Sequence, residues 1–230
     1  MVEFLFLDLD DTILDFHKAE KIALTKTLRS FGLEPDDRIL ARYSEINIAH
    51  WQRLERKELT RQQVVVGRFD VFFREQGVFA DPEQVALCYE DNLSIGHYFL
   101  PGAEEALKRL SKKYKLYLAS NGTAKVQAGR LASANIGHYF QKIFVSQEIG
   151  ADKPDILYFE GCAKQIPGFD PQKAMIVGDS LTSDIQGGIN AGMKTVWVNP
   201  QQKSYPEHIV PDYQIESLSQ LEELLNTIAG

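Results

Sequence analysis

Short apolar runs alternate with helical patterns along most of the chain. The apolar runs cover residues 2–7, 114–119, 143–145, 174–177 and 195–198. Continuous apolar runs of this length are typical of parallel strands that are covered on both faces. Helical periodicity follows the later runs and lies at residues 103–113, 123–135, 154–167 and 181–192. The alternation predicts an α/β fold with a doubly wound parallel sheet.

Residues 16–97 interrupt this alternation, because they contain helical patterns and no convincing strand. Helical periodicity covers residues 18–32, 36–58 and 60–77. A fourth helix is predicted to begin at Asp81 and Pro82, where an N-cap residue precedes a proline at the first helical position. We therefore predict two domains: a core formed by residues 1–15 and 98–230, and an all-helical insert formed by residues 16–97.

The composition limits the classes of partner. With 44% hydrophobic and 25% charged residues, the 230-residue chain resembles soluble globular proteins. The net charge of -7 provides no basic surface for long nucleic acids. No apolar segment approaches the roughly 18 residues of a membrane span. The acidic third residue and the two widely spaced cysteines suit a reducing cytoplasm, so we expect a cytoplasmic protein. We separately expect a monomer or weak homodimer.

Acidic residues follow two of the predicted strands. Asp8 and Asp10 come directly after the run at 2–7, and in an extended backbone their side chains point to the same side. Asp179 and Asp184 follow the run at 174–177. A lone aspartate at a strand end usually caps a helix or decorates a turn. Two such sets at one sheet edge would repel each other without a cation, and oxygen ligands favour Mg²⁺, so we predict one magnesium ion.

Two further polar segments lie between these acidic sets. Ser120 and Asn121 end another predicted strand, at a helix N-terminus whose free N–H groups suit an anion. Lys153 lies just before a further predicted helix. Taken alone, the first segment would be read as a helix cap and the lysine as a solvated charge. A functional interpretation of these residues depends on their order along the chain relative to the two acidic sets.

The ordered segments DLDDT, SNGT, DKPD and GDSLTSD resemble the four motifs of the haloacid dehalogenase superfamily of phosphotransferases. The resemblance implies phosphomonoester hydrolysis through an aspartyl-phosphate, with Asp8 as nucleophile and Asp10 as general acid and base. Ser120 would bind the transferred phosphoryl group with help from Asn121. Lys153 would neutralise both the phosphate and the attacking carboxylate. We expect an acidic neighbourhood to keep Asp10 protonated.

The same resemblance implies a ligand set for the magnesium ion. Asp8, Asp179 and the main-chain carbonyl of Asp10 would bind Mg²⁺, and Asp184 would act directly or through water. The substrate would be a small phosphomonoester. A phospho-accepting receiver domain also combines acids, a hydroxyl and a lysine around Mg²⁺, but it needs no acid at position 10 and is roughly half this length.

The helical insert lies between the first two motifs and resembles the cap domain found there in this superfamily. Such a cap closes over the site, excludes water and recognises the leaving group. We predict hinges at Phe16 and His17 and at residues 100–102. The insert is rich in rings, whose default role is packing, although one or two could stack on a base. These residues are Tyr43, His50, Trp51, Phe69, Phe72 and Phe73.

Longer segments, including DLDDTILDF, SNGTAKVQAGRL and FVSQEIGADKPD, are most similar to bacterial pyrimidine 5'-nucleotidases. This resemblance implies hydrolysis of deoxyuridine and thymidine monophosphates. Ile156 departs from the family pattern, which often has proline there. Hydrolysis of phosphoglycolate, a sugar phosphate or an acylneuraminate phosphate, and phosphosugar mutation, are alternatives that the same motifs allow.

Overall fold

The computed structural model describes residues 2–229 and contains a six-stranded parallel sheet. The strands are β1 Phe4–Leu7, β2 Lys115–Ser120, β3 Lys142–Val145, β4 Ala174–Gly178, β5 Lys194–Val198 and β6 Tyr213–Ile215. Their order in the sheet is β3-β2-β1-β4-β5-β6, and every neighbouring pair is parallel. The predicted fold class is confirmed, and the carboxyl ends of all the strands lie at one edge.

Helices lie around this sheet: α6 Ala103–Leu110, α7 Ala124–Ala134, α8 Ser146–Ile149, α9 Ile156–Ala163, α10 Gln186–Asn190 and α11 Leu221–Ala229. Successive side chains of β1 point to opposite faces of the sheet. Leu5 and Leu7 join an apolar cluster with residues of α6 and α11, whereas Phe4 and Phe6 join a cluster with residues of α9. The central strand is therefore covered on both faces, as its continuous apolar run predicts.

Residues between β1 and β2 form a separate set of helices. These are α1 Phe16–Ser30, α2 Asp37–Glu55, α3 Arg61–Val65, α4 Gly67–Gln76 and α5 Pro82–Ser94, here called the helical group. They share one apolar cluster that includes Leu24, Tyr43, Phe69 and Phe72. Val126 of α7 also belongs to this cluster, so the helical group packs against the first turn of that helix.

Two hydrogen bonds join the segments that enter and leave the helical group. The main-chain N–H of Asp15 donates to the carbonyl of Tyr98 at 2.7 Å, and the N–H of Leu100 donates to the carbonyl of Ile13 at 3.0 Å. The chain therefore enters and leaves the helical group through one narrow neck beside the end of β1.

The structure differs from the sequence pattern in several elements. The helix predicted over 60–77 divides into α3 and α4 at Val66. The helix predicted to begin at Pro154 begins at Ile156, because the side chain of Asp155 accepts a hydrogen bond from Leu157 N and caps it. The helix predicted over 181–192 is a π-helical segment, Leu181–Ile185, followed by α10. Strand β6 is short and contains the exposed Gln214, so its apolar pattern was too weak to detect.

None of the helices within residues 2–229 combines the length and apolar character needed to cross a membrane.

Candidate active site

Asp8 lies at the carboxyl end of the central strand and is 7% exposed. Its main-chain N–H donates to the carbonyl of Val177 at 2.9 Å, so the pairing of β1 with β4 extends one residue beyond the strand. This pairing places the Asp8 side chain at the sheet edge where β1 and β4 end. Lys153 donates to Asp8 Oδ1 at 2.8 Å. The predicted nucleophile and the predicted lysine are thus in direct contact.

Lys153 is 1% exposed, and each of its three ammonium hydrogens has an acceptor. Besides Asp8, these acceptors are Asp184 Oδ1 at 2.6 Å and the carbonyl of Ala119 at 2.6 Å. Burial alone would lower the pKa of Lys153, but Asp184 and Asp8 outweigh this effect and raise it. The lysine is therefore a fixed positive charge at the bottom of the site.

Asn121 holds this lysine through its backbone. The side-chain amide of Asn121 donates to the carbonyl of Lys153 at 2.8 Å and to Ser183 Oγ at 3.2 Å, and its oxygen accepts from Lys153 N at 2.8 Å. Both amide hydrogens are engaged in these contacts. The Asn121 side chain thus holds the loop that carries Lys153, and the predicted part of Asn121 in phosphoryl binding stays a prediction.

Three carboxylates at the ends of β1 and β4 form a compact acidic group. Asp8, Asp179 and Asp184 each offer an oxygen, and these oxygens lie within 4.8 Å of one another. An all-oxygen, carboxylate-rich set of this kind is what Mg²⁺ prefers in proteins. The side chain of Asp10 is not a member of the group. Its predicted contribution is through a main-chain carbonyl.

The electrostatics of the acidic group favour a cation. Burial raises the pKa of Asp8 to about 7, although Lys153 opposes the shift. Burial and the neighbouring carboxylates of Asp184 and Asp8 raise the pKa of Asp179 well above its ordinary value. Three carboxylates thus face a single ammonium group. Their excess negative charge is unfavourable until a divalent cation offsets it.

Asp184 reaches this group because residue 178 has no side chain. A Cβ atom on Gly178 would overlap the Asp184 carboxylate. Asp184 Oδ2 accepts a hydrogen bond from Ser180 N at 3.1 Å, and the π-helical segment that carries Asp184 begins at Leu181. The sequence Gly-Asp-Ser therefore serves two purposes, since it presents Asp179 directly and leaves room for Asp184.

The Asp10 side chain meets basic and amide groups. Gln127 Nε2 donates to Asp10 Oδ2 at 2.8 Å, and Arg130 forms an ion pair with Asp10 Oδ1. Both partners belong to α7, so this helix holds the Asp10 carboxylate in the site. The role of Asp10 as general acid and base stays a prediction.

Ser120 ends β2 and is nearly inaccessible to solvent. Its hydroxyl oxygen accepts hydrogen bonds from Gln127 Nε2 at 2.8 Å and from Gly122 N at 3.2 Å. Both neighbours act as donors, so the hydroxyl hydrogen of Ser120 is left for an acceptor in the cavity. This position suits an oxygen of a phosphoryl group.

Gln127 and Arg130 are site residues that the sequence analysis missed. They lie three positions apart on α7 and next to the apolar Val126 and Leu131, and all four residues are buried. Polar residues on the buried face of an amphipathic helix are the signal that could have identified them. Their shared partner Asp10, however, lies more than a hundred positions away, just after β1, and only folding brings them together.

One cavity lies above these residues, between the sheet edge and the helical group. Asp8, Asp10, Ser120, Asn121, Lys153, Asp179 and Asp184 all line it. The structure therefore brings every predicted site residue to one cavity. On the opposite side, the helical group contributes Phe16, Trp51, Glu55, Arg68, Glu90 and Leu93.

The six rings singled out from the sequence have different environments. Tyr43, Phe69, Phe72 and Phe73 are buried in the apolar cluster of the helical group. His50 is also buried, and its Nδ1 lies 2.7 Å from the carbonyl oxygen of Ile46. Trp51 lines the cavity. The tryptophan is therefore the ring of this set that is placed to meet a ligand.

Arg61 joins the helical group to the loops of the site. Its guanidinium donates to the carbonyls of Asn121 and Gly122 at 3.2 and 3.0 Å and to Ser146 Oγ at 2.5 Å, and it forms an ion pair with Asp152. Two more pairs lie nearby. Thr182 Oγ1 donates to Glu55 Oε2 at 2.8 Å, and Lys57 pairs with Asp155 at 2.6 Å. These contacts join the helical group and the residues next to it to the loops of the site.

The chain is similar to known hydrolases over most of its length. The family model for haloacid dehalogenase-like hydrolases matches residues 5–198. The pyrimidine 5'-nucleotidase PynA of Streptococcus pneumoniae is 38% identical over 225 residues, which cover 97% of this chain and 95% of that protein. The pyrimidine 5'-nucleotidase YjjG of Escherichia coli is 28% identical over 223 residues, which cover 97% of each chain.

A solved structure of the HAD-hydrolase YfnB from Bacillus subtilis has the same fold. It superposes with a TM-score of 0.93 at 36% identity, covering 98% of this chain and 99% of that one. That structure is described as bound to magnesium and as showing interdomain movement. The sheet, the four motif segments and the matched length confirm the family resemblance seen in the sequence. The chain belongs to the haloacid dehalogenase-like hydrolase family.

Proposed function

We propose that the protein is a magnesium-dependent 5'-nucleotidase, which hydrolyses pyrimidine nucleoside monophosphates through an aspartyl-phosphate on Asp8. The observation that carries the hydrolytic part is the contact of buried Asp8 with Lys153 beside Asp179 and Asp184. A carboxylate in this position is suited to attack a phosphorus atom, provided that neighbouring positive charge removes the repulsion between the two anions.

The donor set fits a magnesium ion. Asp8, Asp179 and Asp184 provide closely spaced oxygens. Burial and neighbouring carboxylates raise the pKa of Asp8 and of Asp179, so a cation is needed to stabilise the ionised group. When bound, Mg²⁺ would supply charge neutralisation and would orient the phosphoryl oxygens. We assign Asp8 and Asp179 as side-chain ligands and Asp10 as a main-chain ligand. Asp184 accepts hydrogen bonds on both oxygens, from Lys153 and from Ser180 N, so we expect it to support the ion from this hydrogen-bonded position.

The reaction proceeds in two displacements at phosphorus. Asp8 attacks phosphorus, the bond from phosphorus to the ester oxygen breaks, and Asp10 gives its proton to that oxygen as it leaves. Asp10 then takes a proton from water as the water oxygen attacks the same phosphorus atom. The bond from phosphorus to the Asp8 oxygen breaks, which releases inorganic phosphate and restores both carboxyl groups.

Other residues of the chain hold the phosphoryl group and the lysine in place. The Ser120 hydroxyl donates to a phosphoryl oxygen, and Lys153 neutralises charge on the phosphoryl group and on Asp8. Asn121 holds the backbone of Lys153, so its contribution is positional. Because the cavity lies beneath the helical group, the intermediate is protected from bulk water.

We also propose that the helical group is a cap domain with the predicted bounds of residues 16–97, joined to a core of residues 1–15 and 98–230. Its separate apolar cluster and its narrow neck support this division. The interdomain movement described for YfnB is the kind of motion that such an arrangement allows. We expect the cap to open for substrate entry and close for the reaction.

Two observations support a pyrimidine nucleotide as substrate. Trp51 and Phe16 present rings to the cavity, opposite the phosphoryl-binding residues. The relatives PynA and YjjG, matched over nearly the whole chain, are named for this activity. Stacking of a base on an aromatic ring contributes about 1–3 kcal/mol per base. That contribution would distinguish a nucleotide from a phosphate ester that carries no ring.

A phosphate-release screen with Mg²⁺ tests the proposal. The panel contains dUMP, dTMP, phosphoglycolate and sugar phosphates, each with added Mg²⁺ and with a chelator. We expect metal-dependent release, fastest with the two nucleotides. The Asp8→Asn variant should be inactive, whereas Asp91→Asn, which alters an exposed carboxylate paired with Lys125, should behave like the wild type. A preference for sugar phosphates would contradict the nucleotidase assignment, and an active Asp8→Asn variant would contradict the mechanism.

A further inference from the structure

Arg130 is a fully buried arginine in contact with the proposed acid and base. It is 0% exposed and forms an ion pair with Asp10 Oδ1. Its Nε donates to the carbonyl of Gly96 at 3.0 Å. Burying a guanidinium is unfavourable unless its charge and its hydrogens are matched, so a side chain in this position requires an explanation.

The partner on the other side, Gly96, belongs to the segment that returns from the helical group to the sheet. It follows α5, the last helix of that group. Helix α7 packs tightly against this region, because a Cβ atom on Gly129 would lie 2.7 Å from Cβ of Ser94. Arg130 is the next residue on α7. Its guanidinium therefore bridges the end of the proposed cap and the carboxylate of Asp10.

The Arg130 guanidinium does not use all of its hydrogen-bond donors in this arrangement. Within residues 2–229, Arg130 Nη2 is buried and has no hydrogen-bond partner. Arg130 Nη1 serves both Asp10 and, at 3.3 Å, Gln127 Oε1. Arginine and carboxylate groups commonly pair through two parallel hydrogen bonds, and here one of the two donors is left over. A small displacement of Gly96 or of Asp10 would change which donors are engaged.

We propose that Arg130 is a positioning residue that couples the placement of Asp10 to the closed position of the cap. Movement of the cap displaces the Gly96 carbonyl from Arg130 Nε, and the guanidinium then loses the anchor that aims it at Asp10. The acid and base group is thus held over Asp8 only while the cavity is covered. This inference rests on the proposed function, because it assigns Arg130 an effect that passes through Asp10.

The experiment compares Arg130→Met and Arg130→Lys with the wild type on two substrates. The first substrate, dUMP, has an alkoxide leaving group that needs a proton. The second, p-nitrophenyl phosphate, releases p-nitrophenolate, which leaves without a proton. We expect Arg130→Met to lower kcat for dUMP by about 100-fold, with KM changed by less than about threefold. The first release of p-nitrophenolate, measured by stopped flow, should stay within about threefold of the wild type. Arg130→Lys keeps the charge and should recover part of the loss on dUMP.

Two further variants separate positioning from a general loss of structure. If Arg130 acts through Asp10, the double variant Asp10→Asn, Arg130→Met should be no slower on dUMP than Asp10→Asn alone. Leu225→Ala removes buried apolar contacts in α11, away from the site. It should lower the rates on both substrates by the same small factor. If Arg130→Met does not fold, Arg130→Lys and its double variant provide the same comparison.

The outcomes are distinguishable. Equal losses on dUMP and on the first release of p-nitrophenolate would overturn the inference, as would additive losses in the double variant or unchanged kinetics. A wild-type protein that releases no phosphate from either substrate would instead overturn the proposed function, and the inference with it.

Discussion

The Asp8→Asn variant separates the stability of the site from its chemistry. Asparagine has nearly the same size as aspartate but cannot ionise and cannot form an aspartyl-phosphate. Burial raises the pKa of Asp8 from an ordinary value of 3.8 to about 7 in the folded protein. The Asp8 carboxyl group therefore keeps its proton in the folded protein over a pH range in which the same group has already lost it in the unfolded chain.

The sign and size of the effect follow from this difference. Below about pH 4 both states are protonated, so Asp8 contributes no pH-dependent cost. As the pH rises from about 4 to about 7, the unfolded chain ionises first and the metal-free folded state loses stability. About 3 pKa units correspond to about 4 kcal/mol. We therefore expect the stability of Asp8→Asn relative to wild type to increase by up to about 4 kcal/mol between pH 4 and pH 8.

Urea unfolding in the presence of EDTA measures this difference at several pH values. The same titration with Mg²⁺ should reduce the advantage of Asp8→Asn at pH 8, because the cation stabilises the ionised wild-type site. A stability difference that does not change with pH, or one that changes with the opposite sign, would refute the electrostatic reasoning. Loss of turnover in the same variant tests the chemical role independently.

Three other substitutions test separate parts of the site. Arg61→Ala removes the link between the helical group and the Asp152 loop, so kcat/KM for dUMP should fall at least about tenfold in steady-state assays. Trp51→Ala should raise KM for dUMP about tenfold while leaving KM for phosphoglycolate unchanged. Gly178→Ala displaces the Asp184 carboxylate, so the Mg²⁺ concentration that gives half-maximal activity should increase at least about tenfold.

Matched controls are available for the first two of these variants. Arg56 lies at the end of α2 and pairs with Glu58 at the surface, so Arg56→Ala should leave kcat/KM unchanged. Phe79 is an exposed ring outside the cavity, so Phe79→Ala should leave KM for dUMP unchanged. A loss in either control equal to that of its partner would show that the effect is not specific to the cavity.

Local signals were sufficient for much of the fold. The apolar runs identified five of the six strands, because a strand covered on both faces is apolar at almost every position. Strand β6 was missed, since a three-residue strand with an exposed glutamine carries little pattern. The third predicted helix divides at Val66, immediately before Gly67, and an apolar pattern that continues across both helices does not record this break.

The sequence by itself determined the sheet, the inserted helices and the residues at or beyond the strand ends, among them Asp8, Ser120 and Asp179. Parallel strands bring such residues to one edge, so their order along the chain predicts that they meet. Only the tertiary structure decided which groups each side chain contacts. Arg130 reaches Asp10 from a distant helix, and Asn121 turns to the backbone of Lys153. These contacts depend on how α7 and the loop that carries Lys153 pack against the sheet edge. A periodic pattern in the sequence contains no information about contacts between residues so far apart along the chain.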